Sequence, residues 1–224
     1  MFHVLCFMNI LWHGQSFFEI VLKGDNGGTV KIVIDPFSKE IGLRPPRTEA
    51  DILLITHQHP DHNNREAIKG EPLAIASPGE YEVKGVFVKS ISAFHDNSQG
   101  KERGEVVVYR IEAEGLKLCH LSDLGQRELT DEQVERIGEV DILFIPVGGN
   151  YTIDAKAASN IISQIEPRIV VPMHYKIANL KIKLDGLDKF LKQMGSEDVE
   201  KLKKLKVKPK DLPQEETKIV VLEP

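Results

Sequence analysis

Three histidines and one aspartate fall within six residues in the stretch Thr56-His57-Gln58-His59-Pro60-Asp61-His62. The chain holds 8 histidines among 224 residues, so this density stands well above that of an ordinary polar loop. The cluster directly follows Ile52-Leu53-Leu54-Ile55, a short aliphatic run that reads as a buried strand. It therefore leaves the end of a strand rather than lying on a helix. Residues two apart in extended chain project to one side, so His57 and His59 present their imidazoles together. Pro60 keeps His59 out of helical dihedrals, which favours that geometry. Beyond the proline the chain can turn, leaving Asp61 and His62 free to face a second point. Two nitrogens for one ion, and an oxygen with a nitrogen for a neighbour, are what zinc-type cations accept.

Distant ligands need a reason to meet these. His95 follows the strand expected to end at Phe94, Asp123 follows Leu116–Leu121, and His174 follows Ile169–Val171. Each lies just beyond an apolar run at its carboxyl end, where ligand sites collect in sheets flanked by helices. One edge of the molecule is then expected to carry five histidines and two aspartates from four separated segments. Alone, His95-Asp96 would read as the solvent-facing head of a polar loop, and Asp123 in Ser-Asp-Leu-Gly as part of a turn. Beside the 57–62 cluster both read as ligands. His174 ends a buried strand, where both ring nitrogens need partners and a metal supplies one. His120 falls inside its strand by alternation and reads as a core or supporting histidine, not a ligand. No role is assigned to His3.

The elements that must position these residues are mostly short strands. Asn9–Trp12, Phe17–Leu22 and Val30–Ile34 surround His13-Gly14-Gln15-Ser16 and the hairpin signal Asp25-Asn26-Gly27-Gly28. A short helix is expected from about Asp61 to Ile68. Leu73–Ala76, Val86–Phe94, Glu105–Ile111 and Leu116–Leu121 then alternate with turns, Ser77–Tyr81 among them, and 96–104 reads as a flexible loop. From residue 131 the texture changes. A helix over Asp131–Ile137, a strand over Asp141–Ile145, a helix with Ala158, Ile161, Ile162 and Ile165 on one face, and a strand over Ile169–Val171 make a parallel crossover unit. A helix from Asp185 to Met194 should stop at Gly195, with a last strand over Thr217–Leu222. A β-rich stretch followed by α/β texture occurs twice, over 1–70 and 73–175, which hints at two similar halves.

Composition bounds the function classes. With 41% hydrophobic residues the chain can bury a substantial core, and one domain over 1–224 is expected. A net charge of −5 gives no support for nucleic-acid binding. The six lysines of Lys201–Lys210 are offset by Glu197, Asp198, Glu200, Asp211, Glu215 and Glu216, a solvated surface rather than a phosphate track. Two cysteines, Cys6 and Cys119, imply no disulfide framework and fit a cytoplasmic location. The apolar start lacks a basic residue and a small-residue cleavage site, so it fails as a signal peptide. No run reaches the roughly 20 apolar residues of a membrane span. Met8 is an alternative start, which would make 1–7 an extension. The expected partner is a small-molecule substrate, and a homo-oligomer is left open.

The segment 57–62 resembles the metal-binding signature of the metallo-β-lactamase superfamily, most of whose members are two-metal hydrolases. Flanking segments resemble its ascorbate-phosphate lactonase-like branch of Zn-dependent hydrolases. Trp12-His13-Gly14-Gln15-Ser16 is similar to the N-terminal turn of that branch, with Gln15 where a histidine is usual. Ile34-Asp35-Pro36-Phe37 matches, and Ile145–Thr152 is similar to a loop beside the site, with Gly149 where an aspartate is frequent. Ser122 stands where glycine is usual. The resemblance runs from about residue 9 to 222.

What the resemblance implies is an α/β four-layer αββα sandwich with the metal site at the strand ends. His57, His59 and His95 would hold one divalent ion, Asp61, His62 and His174 a second, and Asp123 would bridge them. Zinc is the default, and manganese or iron would also suit the donors. The activity implied is hydrolysis of a small-molecule ester, lactone or phosphodiester by a hydroxide activated at a binuclear centre, with Asp61 and Asp123 as catalytic carboxylates. Asp35 would brace the metal loop, and His13, Asn150, Tyr151 and Tyr175 are candidates for supporting or substrate contact. The alternative is a non-hydrolytic metal-binding protein, favoured by the departures at Gln15, Ser122 and Gly149, or a di-iron redox protein. Di-iron members typically carry Glu where this chain has Gln58-His59.

Overall fold

The computed structural model describes residues 7–224; His3, Cys6 and, apart from Phe7, the expected extension 1–7 lie outside them. The chain opens with β1 (Met8–Trp12), β2 (Phe18–Lys23) and β3 (Thr29–Ile34). It continues through β4 (Thr48–Glu49), β5 (Ile52–Leu54), β6 (Ile68–Lys69) and β7 (Leu73–Ile75). Then come β8 (Gly79–Val83), β9 (Val86–Phe94), β10 (Glu105–Ala113) and β11 (Leu116–His120). Helices now alternate with strands: α1 (Asp131–Ile137), β12 (Ile142–Pro146), α2 (Ala155–Ile165), β13 (Ile169–Met173) and α3 (Leu187–Gln193). β14 (Lys201–Leu202), β15 (Leu205–Val207), β16 (Lys218–Ile219) and β17 (Val221–Leu222) close it.

Two sheets result, ordered β15-β1-β2-β3-β5-β7 and β16-β13-β12-β11-β10-β9-β8. Each passes from an antiparallel meander (β1-β2-β3; β9-β10-β11) to parallel crossovers (β5, β7; β12, β13). That repetition is the structural form of the two similar halves hinted at by the sequence. The sheets face one another across the main core: the Phe18 and Phe144 rings lie 4.5 Å apart. The buried Tyr109 hydroxyl on β10 donates 2.8 Å hydrogen bonds to the carbonyls of Ile55 and Ile75 in the other sheet. Burying a phenol in this way is favourable only because its polar end is satisfied.

Against the second sheet, α1 is fixed by a Thr130/Gln133 capping box, and Gln133 also reaches the Ser92 carbonyl. α2 lays Ala157, Ala158, Ile161, Ile162 and Ile165 into the core, capped by Asp154, while α3 packs on α2. The opposite outer layer is thinner. A second apolar cluster there, including Phe17, Phe37, Leu53 and Ile55, is covered by 3-10 turns at Lys39–Ile41 and Arg65–Ala67 and by residues 177–184. No helix among the described residues is long and apolar enough to cross a membrane.

Several local expectations are corrected. The helix expected over 61–68 is a single 3-10 turn at Arg65–Ala67. Its would-be first turn is diverted because the Asn64 N–H and side-chain amide donate to the carbonyls of Pro36 and Phe37. Residues 79–81, expected in a turn, belong to β8, which pairs with β9 through a tight hairpin. Lys84 and Gly85 there both take left-handed dihedrals (φ 53° and 80°), the pair a two-residue hairpin requires. The helix expected from Asp185 is shorter, Leu187–Gln193. The last strand is split, β16 pairing with β13 and β17 with β14.

Residues 96–104 are the largest departure. Far from loose, they wrap a buried Asp96 whose carboxylate accepts the N–H groups of Ser98, Gly100, Glu102 and Arg103 at 2.7–2.9 Å. Burial alone would raise the Asp96 pKa, but these four donors outweigh it and pull it down to about 2.

Candidate metal centre

β1, β3 and β5 run one way in the first sheet, as do β9, β11, β12 and β13 in the second. Their carboxyl ends meet at one edge. There β1 delivers Gln15 and Ser16, β3 delivers Asp35, β5 the 57–62 segment, β9 His95, β11 Asp123 and β13 His174. Close backbone approach is part of the construction. At Gly125 a Cβ would lie 2.3 Å from the His95 carbonyl carbon, and at Gly148 one would lie 2.1 Å from the His174 carbonyl oxygen.

All seven residues expected as ligands come together, in two groups. His57, His59 and His95 form one, and Asp61, His62, Asp123 and His174 the other; within each, the donor atoms lie within 4.8 Å of one another. His57 Nε2 is 2.9 Å from His59 Nδ1. Asp123 Oδ2 stands 3.2 Å from both His62 Nε2 and His174 Nε2, and 3.7 Å from His95 Nε2, so it faces both groups. Asp61 Oδ2 is 3.4 Å from His62 Nε2 and 3.8 Å from His174 Nε2.

The charge states follow from burial and neighbours. Burial pushes His57 down to about 2, and it also lowers His95, so both imidazoles are neutral, the form that binds metal. In the other group burial would lower His62, but Asp123, Asp61 and Asp35 raise it well above the usual range. His174 is raised to about 9 against its burial, chiefly by Asp123. Conversely, burial opposes ionisation of Asp61 and Asp123, yet the adjoining histidines hold both carboxyls well below the ordinary value. The second group thus gathers negative charge that protons or a cation must balance. His62 Nε2 is fully buried and makes no hydrogen bond, although two carboxylates stand within 3.4 Å. Orphaned ring nitrogen and mixed nitrogen–oxygen donors both fit a divalent cation.

Surrounding residues aim the donors. Asp35 accepts from the Thr56 N–H (2.8 Å) and hydroxyl (2.7 Å), and its Oδ2 lies 2.9 Å from His62 Nδ1. It therefore ties the 56–62 loop to the end of β3 and fixes which His62 nitrogen faces inward. Ser16 Oγ donates to Asp123 Oδ1 at 3.3 Å. His120 stands apart from both groups: Nδ1 accepts the Ser122 N–H, so Nε2 carries the proton donated to the Ser16 carbonyl. Burial drops its pKa to about 4. Gln15, Asp35, Ser122, Asn150 and His174 all hold left-handed φ of 47–62° at this edge, a conformation that favours glycine and strains other residues.

The outer candidates divide. Tyr151 lines a cavity of about 650 Å³ onto which His59, Asp61, His95, Asp123 and His174 open. Asn150 does not line it; its amide donates to the Lys183 carbonyl at 2.7 Å and ties that segment to the 150 loop. Tyr175 turns into the core, its ring 5.0 Å from that of Trp12, because the left-handed turn at His174 reverses the direction of its neighbour. His13 likewise faces away, packed on Phe17 and lining a separate cavity with Lys39 and Arg44. The turn that sends Gln15 inward sends His13 out. Sequence spacing gave no sign of Arg103, Lys181 and Lys183, which reach the ligand cavity from loops far apart in the chain. The Arg103 guanidinium lies 5.7 Å from the centre of the Tyr151 ring.

The chain is similar to a known family and to several known proteins. The family described as the β-lactamase superfamily domain matches residues 9–174. A UPF0173 metal-dependent hydrolase of Thermococcus onnurineus is 32% identical over 189 residues, covering 72% of this chain and 82% of the relative. One from Thermoplasma volcanium is 30% identical over 210 residues, 80% of this chain and 88% of its own. Among solved structures, a Thermotoga maritima protein whose name proposes a Zn-dependent hydrolase of the metallo-β-lactamase superfamily superposes with a TM-score of 0.77 at 37% identity, covering 96% of this chain and 98% of that one. With two donor groups at the strand tips of paired mixed sheets and a match over most of its length, the chain belongs to the metallo-β-lactamase superfamily.

Proposed function

We propose that the chain is a metal-dependent hydrolase that holds two divalent cations, zinc foremost, and cleaves a small-molecule ester, lactone or phosphodiester. The observation that carries this is the pair of donor groups joined by Asp123 Oδ2 and opening on one cavity. The names of the relatives, metal-dependent hydrolases, support the same reading.

His57, His59 and His95 would hold one cation through their ring nitrogens. Asp61, His62 and His174 would hold the other, and Asp123 would be shared. Such cations supply Lewis acidity and a nucleophilic water acidified toward a pKa of about 7. Asp61, the more exposed of the two proposed catalytic carboxylates, is held ionised by the adjoining histidines and would accept a hydrogen bond from the attacking water. Asp123, buried and hydrogen-bonded by Ser16, keeps the two groups in register. At the mouth, Arg103, Lys181 and Lys183 face the cavity against a single further carboxylate, Glu40. Lys181 and Lys183 have no ion-pair partner among the described residues, which favours the phosphodiester over the neutral substrate classes.

The test is turnover of bis(p-nitrophenyl) phosphate and simple lactones by zinc-loaded protein, with His59→Ala alongside. The expected result is cleavage by the native chain and none by the variant. Full activity in His59→Ala would defeat the proposal, and metal uptake without turnover on any substrate would favour the non-hydrolytic reading. Replacing Lys181 and Lys183 by serine should raise KM for the phosphodiester about tenfold while leaving lactone KM within about twofold, the mark of lost charge recognition.

A further inference from the structure

We infer that Gln15 supplies a carboxamide oxygen to the second cation site, as a donor in addition to Asp61, His62, Asp123 and His174. The inference rests on the two-cation reading above. Gln15 is completely buried, and its backbone is gripped from two sides: its carbonyl accepts the Trp12 indole N–H at 2.8 Å and the His174 N–H at 3.1 Å. With φ at 51°, that grip turns the side chain into the site while His13 turns out.

The amide end lies among the donors of the second group. Its Nε2 is 3.1 Å from His174 Nε2 and 3.4 Å from Asp61 Oδ2, whereas Oε1 has no hydrogen-bond partner. Half a turn of the amide exchanges oxygen and nitrogen at almost no change of shape. A cation repels amide hydrogens and attracts the carbonyl oxygen, so the second site with its ion turns Oε1 inward. The 3.1 and 3.4 Å separations are close to the spacing of about 3.0 Å between neighbouring donors of a cation with five or six ligands at bonds of about 2.1 Å. Ser16, next in sequence, donates to Asp123 Oδ1, so the Gln15-Ser16 pair touches the second group at Asp61, His174 and Asp123.

The test uses the full chain, stripped of metal and carrying His59→Asn to disable the first group, titrated calorimetrically with Zn²⁺. Adding Gln15→Leu should lower Zn²⁺ affinity about tenfold or more, the usual effect of losing a coordinating or orienting group, and Gln15→Glu should restore it. Should Gln15→Leu not fold, Gln15→Asn, which withdraws the same amide by one methylene, takes its place with the same expected loss. Affinity within about twofold of the parent in the leucine or asparagine variant would overturn the inference, as would equal weakening by Gln15→Glu, which would leave only a framework role. If the His59→Asn chain with Gln15 intact takes up no Zn²⁺, the two-cation reading itself falls.

Discussion

Replacing Gly125 by alanine should spread the two strand tips that carry His95 and Asp123. The Gly125 N–H donates to the Phe94 carbonyl at 2.9 Å, which draws the chains together. An added Cβ would meet the His95 carbonyl carbon at 2.3 Å and the Asp96 nitrogen and His95 oxygen at 2.4 Å, where ordinary contact begins at 3.4 Å. All three are backbone atoms, so no side chain can swing aside, and the tips must separate by about 1 Å, a forced overpacking that costs about 1–3 kcal/mol. For a chain of this size that is a fall in Tm of about 3–10 °C. Drawing His95 and Asp123 apart by about 1 Å should also weaken zinc binding about 10–100-fold. Scanning calorimetry and Zn²⁺ competition against a chromophoric chelator measure both effects. Gly28→Ala, where a Cβ would meet nothing within 4 Å, is the control and should leave both unchanged. A Gly125→Ala protein that melts within about 1 °C of native and binds zinc equally well would refute the reasoning.

Two other outcomes are expected. His120 has a folded pKa near 4 against 6.5 unfolded, so the unfolded chain binds more protons between those values and stability falls as pH drops through that window. Its share is about 3 kcal/mol, and metal-free His120→Leu should lose that much less stability than native between pH 6.5 and 4 in urea titrations. Asp96→Ala should release the loop that carries Arg103: hydrogen exchange at the amides of Ser98, Gly100, Glu102 and Arg103 should accelerate about tenfold or more, with β10 unaffected.

The clustering of these side chains was legible because strand and candidate donor lie side by side in the sequence: Ile52–Ile55 announces the tip and His57–His62 stands on it. His95 and His174 could be placed by the same rule. The 61–68 segment misled because its residues have ordinary helical character while Asn64 is claimed by carbonyls 27 and 28 positions away. Asp96 shows the converse, a polar run made rigid by one buried carboxylate that composition cannot distinguish from an exposed one. Tyr175 and His13 sit beside ligand segments yet face elsewhere, since a left-handed residue between neighbours breaks the alternation that proximity arguments assume. Lys181, Lys183 and Arg103 had no local signal at all, because only tertiary folding brings loops so far apart in the chain to one mouth.

The left-handed torsions at Gln15, Asp35, Ser122, Asn150 and His174 have a consequence for how this edge can change. Main-chain bonds help set the kinks at 15, 35 and 174, His174 to Gln15 and Asp35 to Leu54, so aim is separated from cargo. Whatever group is mounted on such a bend arrives at the same spot, as on a jig. Exchanging an amide, a carboxylate or an imidazole at 15 can therefore retool this edge for a different ion or reaction without rebuilding the scaffold beneath it, whereas glycine there would ease the bend and blunt its pointing.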